Sequence, residues 1–253
     1  IQKKIADYKE ILADVKKLMG VIKDELVEIR DKWSDERKTK IVADEGELDE
    51  EALIDEEDVA ITLTHLGYVK RVPENTYKAQ RRGGKGIVGL TTRENDFVKD
   101  LIITSTHDYL MFFTDMGRVY KIKAYEIPEA SRTAKGTPVI NFLNLNSGER
   151  VTAVIPIKDF NTSEELVMVT KMGTIKKTPL KEFDTNRKTG LIAITLKDGD
   201  KLIAVGQSSG DEKILVVTRL GKAIAFSEKD VRSMGRNAGG VRAISLEKND
   251  EVV

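Results

Sequence analysis

Short apolar runs alternate with glycine-punctuated basic stretches along this chain, and the pattern occurs four times. VAITLTHLGYVKRV from Val59, YLMFFTDMGRVYKI from Tyr109, ELVMVTKMGTIKKT from Glu165 and KILVVTRLGKAIAF from Lys213 share one layout. Each begins as an apolar strand, reaches a glycine and leaves through a basic strand. Runs such as 59–64 and 214–218 have the length and branched side chains of buried strands. Thr-x-x-Gly predicts the hairpin turn in every copy, with Gly67, Gly117, Gly173 and Gly221 supplying positive φ where the turn needs it.

These turn glycines are 50, 56 and 48 residues apart. A second glycine follows each of them, Gly86, Gly136, Gly190 and Gly240, at offsets of 19, 19, 17 and 19. Self-similarity at a period of about 50 residues marks a propeller-like or solenoid array. After the second glycine a final strand pair is expected, for instance 139–142 with 151–155. Four strands per period is the density of a propeller blade. The prediction is a mainly β protein, a propeller-like array of about four-stranded blades over 59–253, with an N-terminal α-helical segment.

In that segment, Ile1, Ile5, Tyr8, Ile11 and Leu12 recur at helical spacing. With Asp14 as a cap, Val15, Leu18, Met19, Ile22, Leu26, Ile29 and Trp33 continue the period. Such a stripe is a packing face. The chain thus divides into a helical segment, 1–43, an acidic linker, 44–58, and the β array, 59–253. The linker has ten acidic residues in fifteen and no basic one, so an extended, poorly ordered segment is expected. Its charge suits either of two roles: competing with an anionic partner for a basic body, or spacing that body from the helix.

The formal net charge of zero conceals an asymmetry. Residues 1–58 carry 11 Lys and Arg against 19 Asp and Glu, while 59–253 carry 31 against 23. A basic array fits a polyanion. The absence of cysteine excludes disulfides and thiolate metal sites. No apolar run approaches the roughly 20 residues of a membrane span, and 1–17 lacks the character of a signal peptide, so a soluble intracellular protein is the expectation. His65 and His107 have no carboxylate or cysteine at metal-ligand spacing. No GxxxxGK[ST] phosphate-binding loop occurs. Lys197-Asp198-Gly199-Asp200 reads as a hairpin turn.

The candidate binding residues are cations at equivalent places in the repeats. After the turn glycines stand Lys70 and Arg71, then Arg118, Lys121 and Lys123, then Lys176 and Lys177, then Lys222. Before the second glycines stand Arg81, Arg82 and Lys85, then Arg132 and Lys135, then Arg187 and Lys188, then Arg232 and Arg236. In a closed or spiral array equivalent positions share a rim, so the two sets would form a basic belt. A polyanion following the belt would have to bend, which points to duplex DNA held through phosphates and deformability. The densest element is Gln80-Arg81-Arg82-Gly83-Gly84-Lys85-Gly86, with three cations and three glycines in seven residues. Its glycines permit close backbone approach, and its arginines can grip phosphate with two hydrogen bonds.

This heptapeptide, inside the first of several repeats, resembles the signature box of the DNA gyrase A-subunit family. The stretch 35–41, following an amphipathic helix, is similar to the segment that joins that family's coiled-coil arm to its C-terminal domain. The resemblance implies a β-pinwheel, a propeller-like disc whose blades exchange strands. It implies chiral wrapping of double-stranded DNA, so that an ATP-dependent type II topoisomerase introduces negative supercoils. The implied partners are the gyrase B subunit together with a second copy of the A subunit, in an A2B2 assembly. ATP and Mg would belong to the holoenzyme, with no cofactor bound by this chain. The implied setting is the bacterial cytoplasm, at the nucleoid, and not the membrane. The family's breakage-reunion region and its catalytic tyrosine would lie upstream, leaving this chain non-catalytic alone. Gyrase A subunits usually have six blades against the four counted here, so the sequence is expected to be a fragment. Later repeats hold weak echoes of the box, SRTAKG ending at Gly136 and GRNAGG ending at Gly240. Two alternatives stand beside this reading: the A subunit of topoisomerase IV, whose box is typically degenerate, and a propeller-like protein-interaction scaffold.

Overall fold

The computed structural model describes residues 1–35, 39, 50–77, 92, 94–185, 187 and 190–253. It falls into two compact units, Ile1–Leu48 and Asp49–Val253. The box, 80–86, lies outside the described residues, as does Lys188.

The first unit is helical. Helix α1 (Gln2–Ala13) and helix α2 (Val15–Trp33) are separated by Asp14 alone, which is extended at φ −120 and ψ 107. The Asp14 side chain accepts from the Lys16 backbone N–H at 2.9 Å, satisfying one of the orphan donors at the start of α2. The predicted cap is therefore a break between two helices. Met19, Ile22, Leu26, Ile29 and Trp33 along α2 are exposed.

The second unit is the β array. Its strands are β1 (Asp58–Thr64), β2 (Tyr68–Pro73), β3 (Val98–Ser105), β4 (Tyr109–Thr114), β5 (Arg118–Lys123), β6 (Thr137–Pro138) and β7 (Val151–Ile157). They continue as β8 (Glu165–Thr170), β9 (Thr174–Pro179), β10 (Leu191–Ile192), β11 (Leu202–Ser208), β12 (Lys213–Val217), β13 (Ala223–Ser227) and β14 (Val241–Arg242). Three sheets have four strands, in the orders β3-β1-β2-β6, β10-β5-β4-β7 and β11-β8-β9-β14, and a fourth pairs β12 with β13. All the strand pairs within the sheets are antiparallel.

The four predicted hairpins form as expected. Gly67, Gly117, Gly173 and Gly221 have φ between +73 and +86, and each N–H bonds the carbonyl of the Thr three residues earlier at 3.0 Å. The region after the second glycine differs from expectation. Residues 139–141 form a 3-10 turn, and the strand there is only the pair 137–138. That pair does not complete its own blade. Strand β6 pairs with β2 of the preceding repeat, β10 with β5, and β14 with β9. The second, third and fourth repeats thus each lend a two-residue strand backwards, and the turn at 197–200 joins strands of two different sheets instead of closing a hairpin.

The inner strands read as continuous apolar runs because they are covered on both faces. In β4, Leu110 and Phe112 pack with Val59, Ile61 and Leu63 of the first blade. Met111 and Phe113, on the opposite face, pack with Leu166 and Met168 of the third. The cores therefore lie between neighbouring blades.

Three of the four hairpin tips are fastened by a carboxylate whose role sequence reading missed. Asp96 accepts from the N–H of Leu66 at 3.0 Å, Asp200 from that of Met172 at 2.9 Å, and Asp250 from that of Leu220 at 3.0 Å. Each also accepts from the N–H of the residue that follows it. The available signal was an Asp 27 to 29 residues beyond the turn glycine. In the second repeat Glu149 stands near that register and takes the Thr114 hydroxyl at 2.5 Å and the Tyr120 hydroxyl at 3.1 Å. Burial opposes ionisation of Asp96 and Asp250, but the backbone and threonine hydrogen bonds outweigh it and hold both carboxyls below their usual value. A depressed carboxylate stabilises the fold above its unfolded pKa, and that stability is lost as pH falls through the folded value.

Two substitutions test this architecture. A Cβ on Gly240 would sit 2.6 Å from the Ile175 carbonyl oxygen, at φ +87, whereas at Gly221, φ +86, it would meet nothing within 4 Å. Gly240→Ala is expected to cost more than Gly221→Ala, which carries only backbone strain of about 1–3 kcal/mol. Asp200→Ala should cost about 1–3 kcal/mol through two stranded N–H groups, against less than about 0.5 for exposed Asp198→Ala. Denaturant titration reads all four.

Candidate nucleic-acid interface

The structure sorts the sequence-predicted cations into two populations. Those on the second strand of each hairpin are drawn into the protein. Lys70 and Lys176 occupy the same register, three residues after the turn glycine, and are 1 % and 0 % exposed. Lys70 Nζ donates to the carbonyls of Ser131, at 3.4 Å, and Arg132. Lys176 Nζ donates to the carbonyls of Ala193, at 2.6 Å, and Arg236. Each buried ammonium therefore clamps the loop that the next repeat sends back across the blade. In the second blade Tyr120 holds this register, and Gly190 packs so closely on its ring that a Cβ would approach to 2.5 Å.

Lys177 is also buried, with Nζ 2.9 Å from Glu165 and 3.3 Å from the Glu228 carbonyl. Arg71 reaches the Ile127 carbonyl at 3.2 Å and lies 3.5 Å from Glu57 and 3.7 Å from Glu129. Lys121 stands 3.5 Å from Asp184, with its ammonium 4.7 Å from the ring centres of both Tyr109 and Phe160. Lys123 binds Glu51 at 2.7 Å and the His107 carbonyl at 2.8 Å, above the Tyr109 ring at 3.9 Å. Arg118 is half-buried, with Nη1 3.4 Å from the Gly190 carbonyl, and Lys222 is exposed but paired with Glu247 at 2.8 Å. As a solvent-facing belt, this set is corrected: Lys70, Lys176 and Lys177 face inward, and Arg71, Lys121 and Lys123 are largely covered. For Lys70 and Lys176 the reason is the crossing loop, which places a second layer over the strand, while Lys123 is covered by Glu51 and the Tyr109 ring.

The second population sits on the crossing loops themselves. Lys135, Arg187 and Arg232 are exposed, and Arg132 and Arg236 are half-buried. These loops run beside the preceding blade, as the Arg71–Glu129 and Lys177–Ser233 bridges show, before their two residues join its sheet. Arg236 Nε and Nη1 are buried and find no hydrogen-bond partner among the described residues. The described array thus presents cations on the crossing loops of successive repeats, and Lys70 and Lys176 hold the backbones of two of those loops from below. The predicted continuity with the box and Lys188 falls outside the described residues.

Burial weighs against the charge on Lys176, as does the nearby Arg236, and Glu182 opposes them weakly, so its pKa falls to about 8. Burial also lowers that of Lys70. On Lys123 burial is overcome by the Glu51 hydrogen bond and charge and by Tyr109, and its pKa is raised. His65 stacks on Phe97 with ring centres 4.8 Å apart, and His107 Nε2 lies 2.9 Å from the Ile54 carbonyl. Among the described residues no cluster of three or more His, Asp and Glu could hold a metal ion. Among them too, no helix is long and apolar enough to cross a membrane.

A strand-exchanged array of propeller-like repeats with basic crossing loops is the class that fold and site define. The family model of the DNA gyrase C-terminal domain, β-propeller, matches residues 58–105, 108–158, 164–209 and 212–253, the four repeats found above. The chain is 53% identical over 242 residues to the DNA gyrase A subunit of Clostridium acetobutylicum. It is 46% identical over 251 residues to that of Staphylococcus epidermidis. These alignments cover 96% and 98% of this chain but 29% and 28% of the relatives, so it spans under a third of their length. Among solved structures it is similar to a C-terminal domain of DNA topoisomerase IV, with TM-score 0.70, 29% identity and coverage of 79% and 61% of the two chains. It is also similar to a DNA gyrase A C-terminal domain, with TM-score 0.60, 30% identity and coverage of 78% and 64%. The chain belongs to the DNA gyrase C-terminal domain family.

The buried clamp has a pH signature. A lysine whose folded pKa lies near 8, below its usual 10.5, binds fewer protons when folded across that interval. Its contribution to stability therefore rises as pH increases from about 8 towards 10.5. Measured against Lys176→Met, the parent should gain stability between about pH 7 and pH 10. A difference that stays flat would show that Lys176 titrates as an ordinary lysine.

Proposed function

We propose that this chain is the DNA-wrapping part of a gyrase A subunit. Duplex DNA follows the crossing loops, held by Lys135, Arg187 and Arg232 with the half-buried Arg132 beside them, and with Arg81, Arg82 and Lys85 of the box gripping it at the first blade. The observation that carries this reading is the recurrence of outward cations on the loops of consecutive repeats, each loop tied to the blade before it. Successive loops lie along the array, so a stiff duplex that engages them all must bend, and the phosphate contacts offset the bending cost.

The array supplies geometry. Strand breakage, ATP and Mg belong to the rest of an A2B2 holoenzyme with the gyrase B subunit, working on bacterial DNA in the cytoplasm and nucleoid. Bending the duplex in one sense lets strand passage introduce negative supercoils. The intact QRRGGKG favours gyrase over topoisomerase IV, as do the relatives' names.

Binding should be insensitive to sequence and fall steeply with salt, with a log K against log salt slope of about −5 if about six phosphates are neutralised. Reversing Lys135, Arg187 and Arg232 to Glu should weaken binding to every duplex and flatten the slope by about 0.9 per lost contact. Lys177→Met should leave the slope unchanged. A salt-independent affinity would instead favour the protein-interaction scaffold. In a reconstituted enzyme, alanine at Arg81, Arg82 and Lys85 should abolish supercoiling and spare relaxation and cleavage, with affinity falling by only about 1–2 kcal/mol. Supercoiling at the parent rate would reduce the box to a turn.

A further inference from the structure

The end of the acidic stretch is not a loose tether. Residues 50–57 belong to the β unit and lie against the turn between β3 and β4. The Thr106 hydroxyl donates to the Asp55 carbonyl at 2.9 Å, and its N–H to the Glu57 carbonyl at 2.9 Å. The Glu57 N–H returns to the Thr106 hydroxyl at 3.1 Å. His107 Nε2 is 2.9 Å from the Ile54 carbonyl, and the Ser105 hydroxyl donates to Glu56 at 3.3 Å. Leu53 is 75% exposed, so it adds little apolar anchoring.

This polar docking aims two carboxylates at cations on the second strands of two different blades. Glu51 takes Lys123 on β5 at 2.7 Å, and Glu57 lies 3.5 Å from Arg71 on β2. Lys123 and Arg71 keep only 14% and 13% of their side-chain surface, while Glu51 and Glu57 keep 30% and 41%. The carboxylates thus form the outer layer and the cations the inner one. A phosphate approaching Lys123 meets Glu51 first. Beneath, the Tyr109 ring holds the ammonium in place, so lifting the segment would uncover a preformed cation.

We propose that residues 50–57 are an internal competitor for DNA, occupying with Glu51 and Glu57 the cations Lys123 and Arg71 that the phosphate backbone takes when the segment is displaced. The inference rests on the DNA-wrapping reading above. It makes the segment a salt-sensitive brake, because Glu51 and Glu57 keep 30% and 41% of their side-chain surface in contact with solvent and the attraction across the two pairs weakens with screening. Such a contact is weak enough for a polyphosphate to displace, while its tether keeps it at high local concentration.

The test uses the full 253-residue chain and a short linear duplex of mixed sequence. Glu51→Gln with Glu57→Gln should tighten binding about three- to tenfold near 50 mM salt and leave it unchanged near 500 mM. Glu94→Gln with Asp198→Asn, the same charge change on exposed carboxylates elsewhere, should tighten it less. In the parent, saturating duplex should speed amide exchange at Thr106 and Glu57, whose N–H groups hold the segment down. Equal tightening by both pairs, or exchange that is unchanged or slowed with DNA bound, overturns the brake while leaving DNA binding intact. No binding by parent or variants at low salt overturns both readings.

Discussion

The array depends on one constraint: no repeat can finish its own sheet. The second strand of a hairpin has an edge that its own repeat does not cover, and an uncovered edge leaves a row of backbone groups without partners. The next repeat supplies Thr137–Pro138, Leu191–Ile192 or Val241–Arg242 to that edge. The chain must therefore cross between blades through a narrow passage. Gly136 and Gly240 sit where a Cβ would strike the carbonyl oxygens of Val69 and Ile175, which accounts for the second glycine of the period. Sheet pairing and the cores between blades then tie every blade to its neighbours.

The crossing also explains the fate of the charges. A lysine on an exposed hairpin strand would be a surface cation, but Lys70 and Lys176 lie under a loop. A buried ammonium is costly unless its donors are matched, and here backbone carbonyls match them. The loop in turn raises its own cations outward on a backbone anchored by that lysine. Inward and outward charges are two halves of one device, in which buried lysines hold the geometry and loop cations meet the solvent. The acidic residues that dock on the β3–β4 turn follow the same logic: polar backbone contacts set the position, and side chains act from it.

Much of this was legible in the residues themselves. Period, blade count, hairpin turns and turn glycines follow from local chemistry, because a buried strand must be apolar and a tight turn needs positive φ. Asp14 as a cap was readable for the same reason, though not the break between helices that it makes. The carboxylates Asp96, Asp200 and Asp250 recur almost as regularly as the glycines, but lie too far from the turns they fasten for local reasoning to connect them.

The sequence by itself determined the repeat, its β character, the segregation of acidic and basic charge, and the box that marks the family. The tertiary structure alone decided where each short strand after a glycine pairs, and therefore which lysines face inward. Two residues such as Val241–Arg242 carry no periodicity to read; only the neighbouring blade's vacant edge defines their partner. Lys176 and Arg232 look alike as letters in a basic run. One is sealed under a loop and the other stands on it, because burial is a property of what the rest of the chain places above a side chain, which sequence distance does not report.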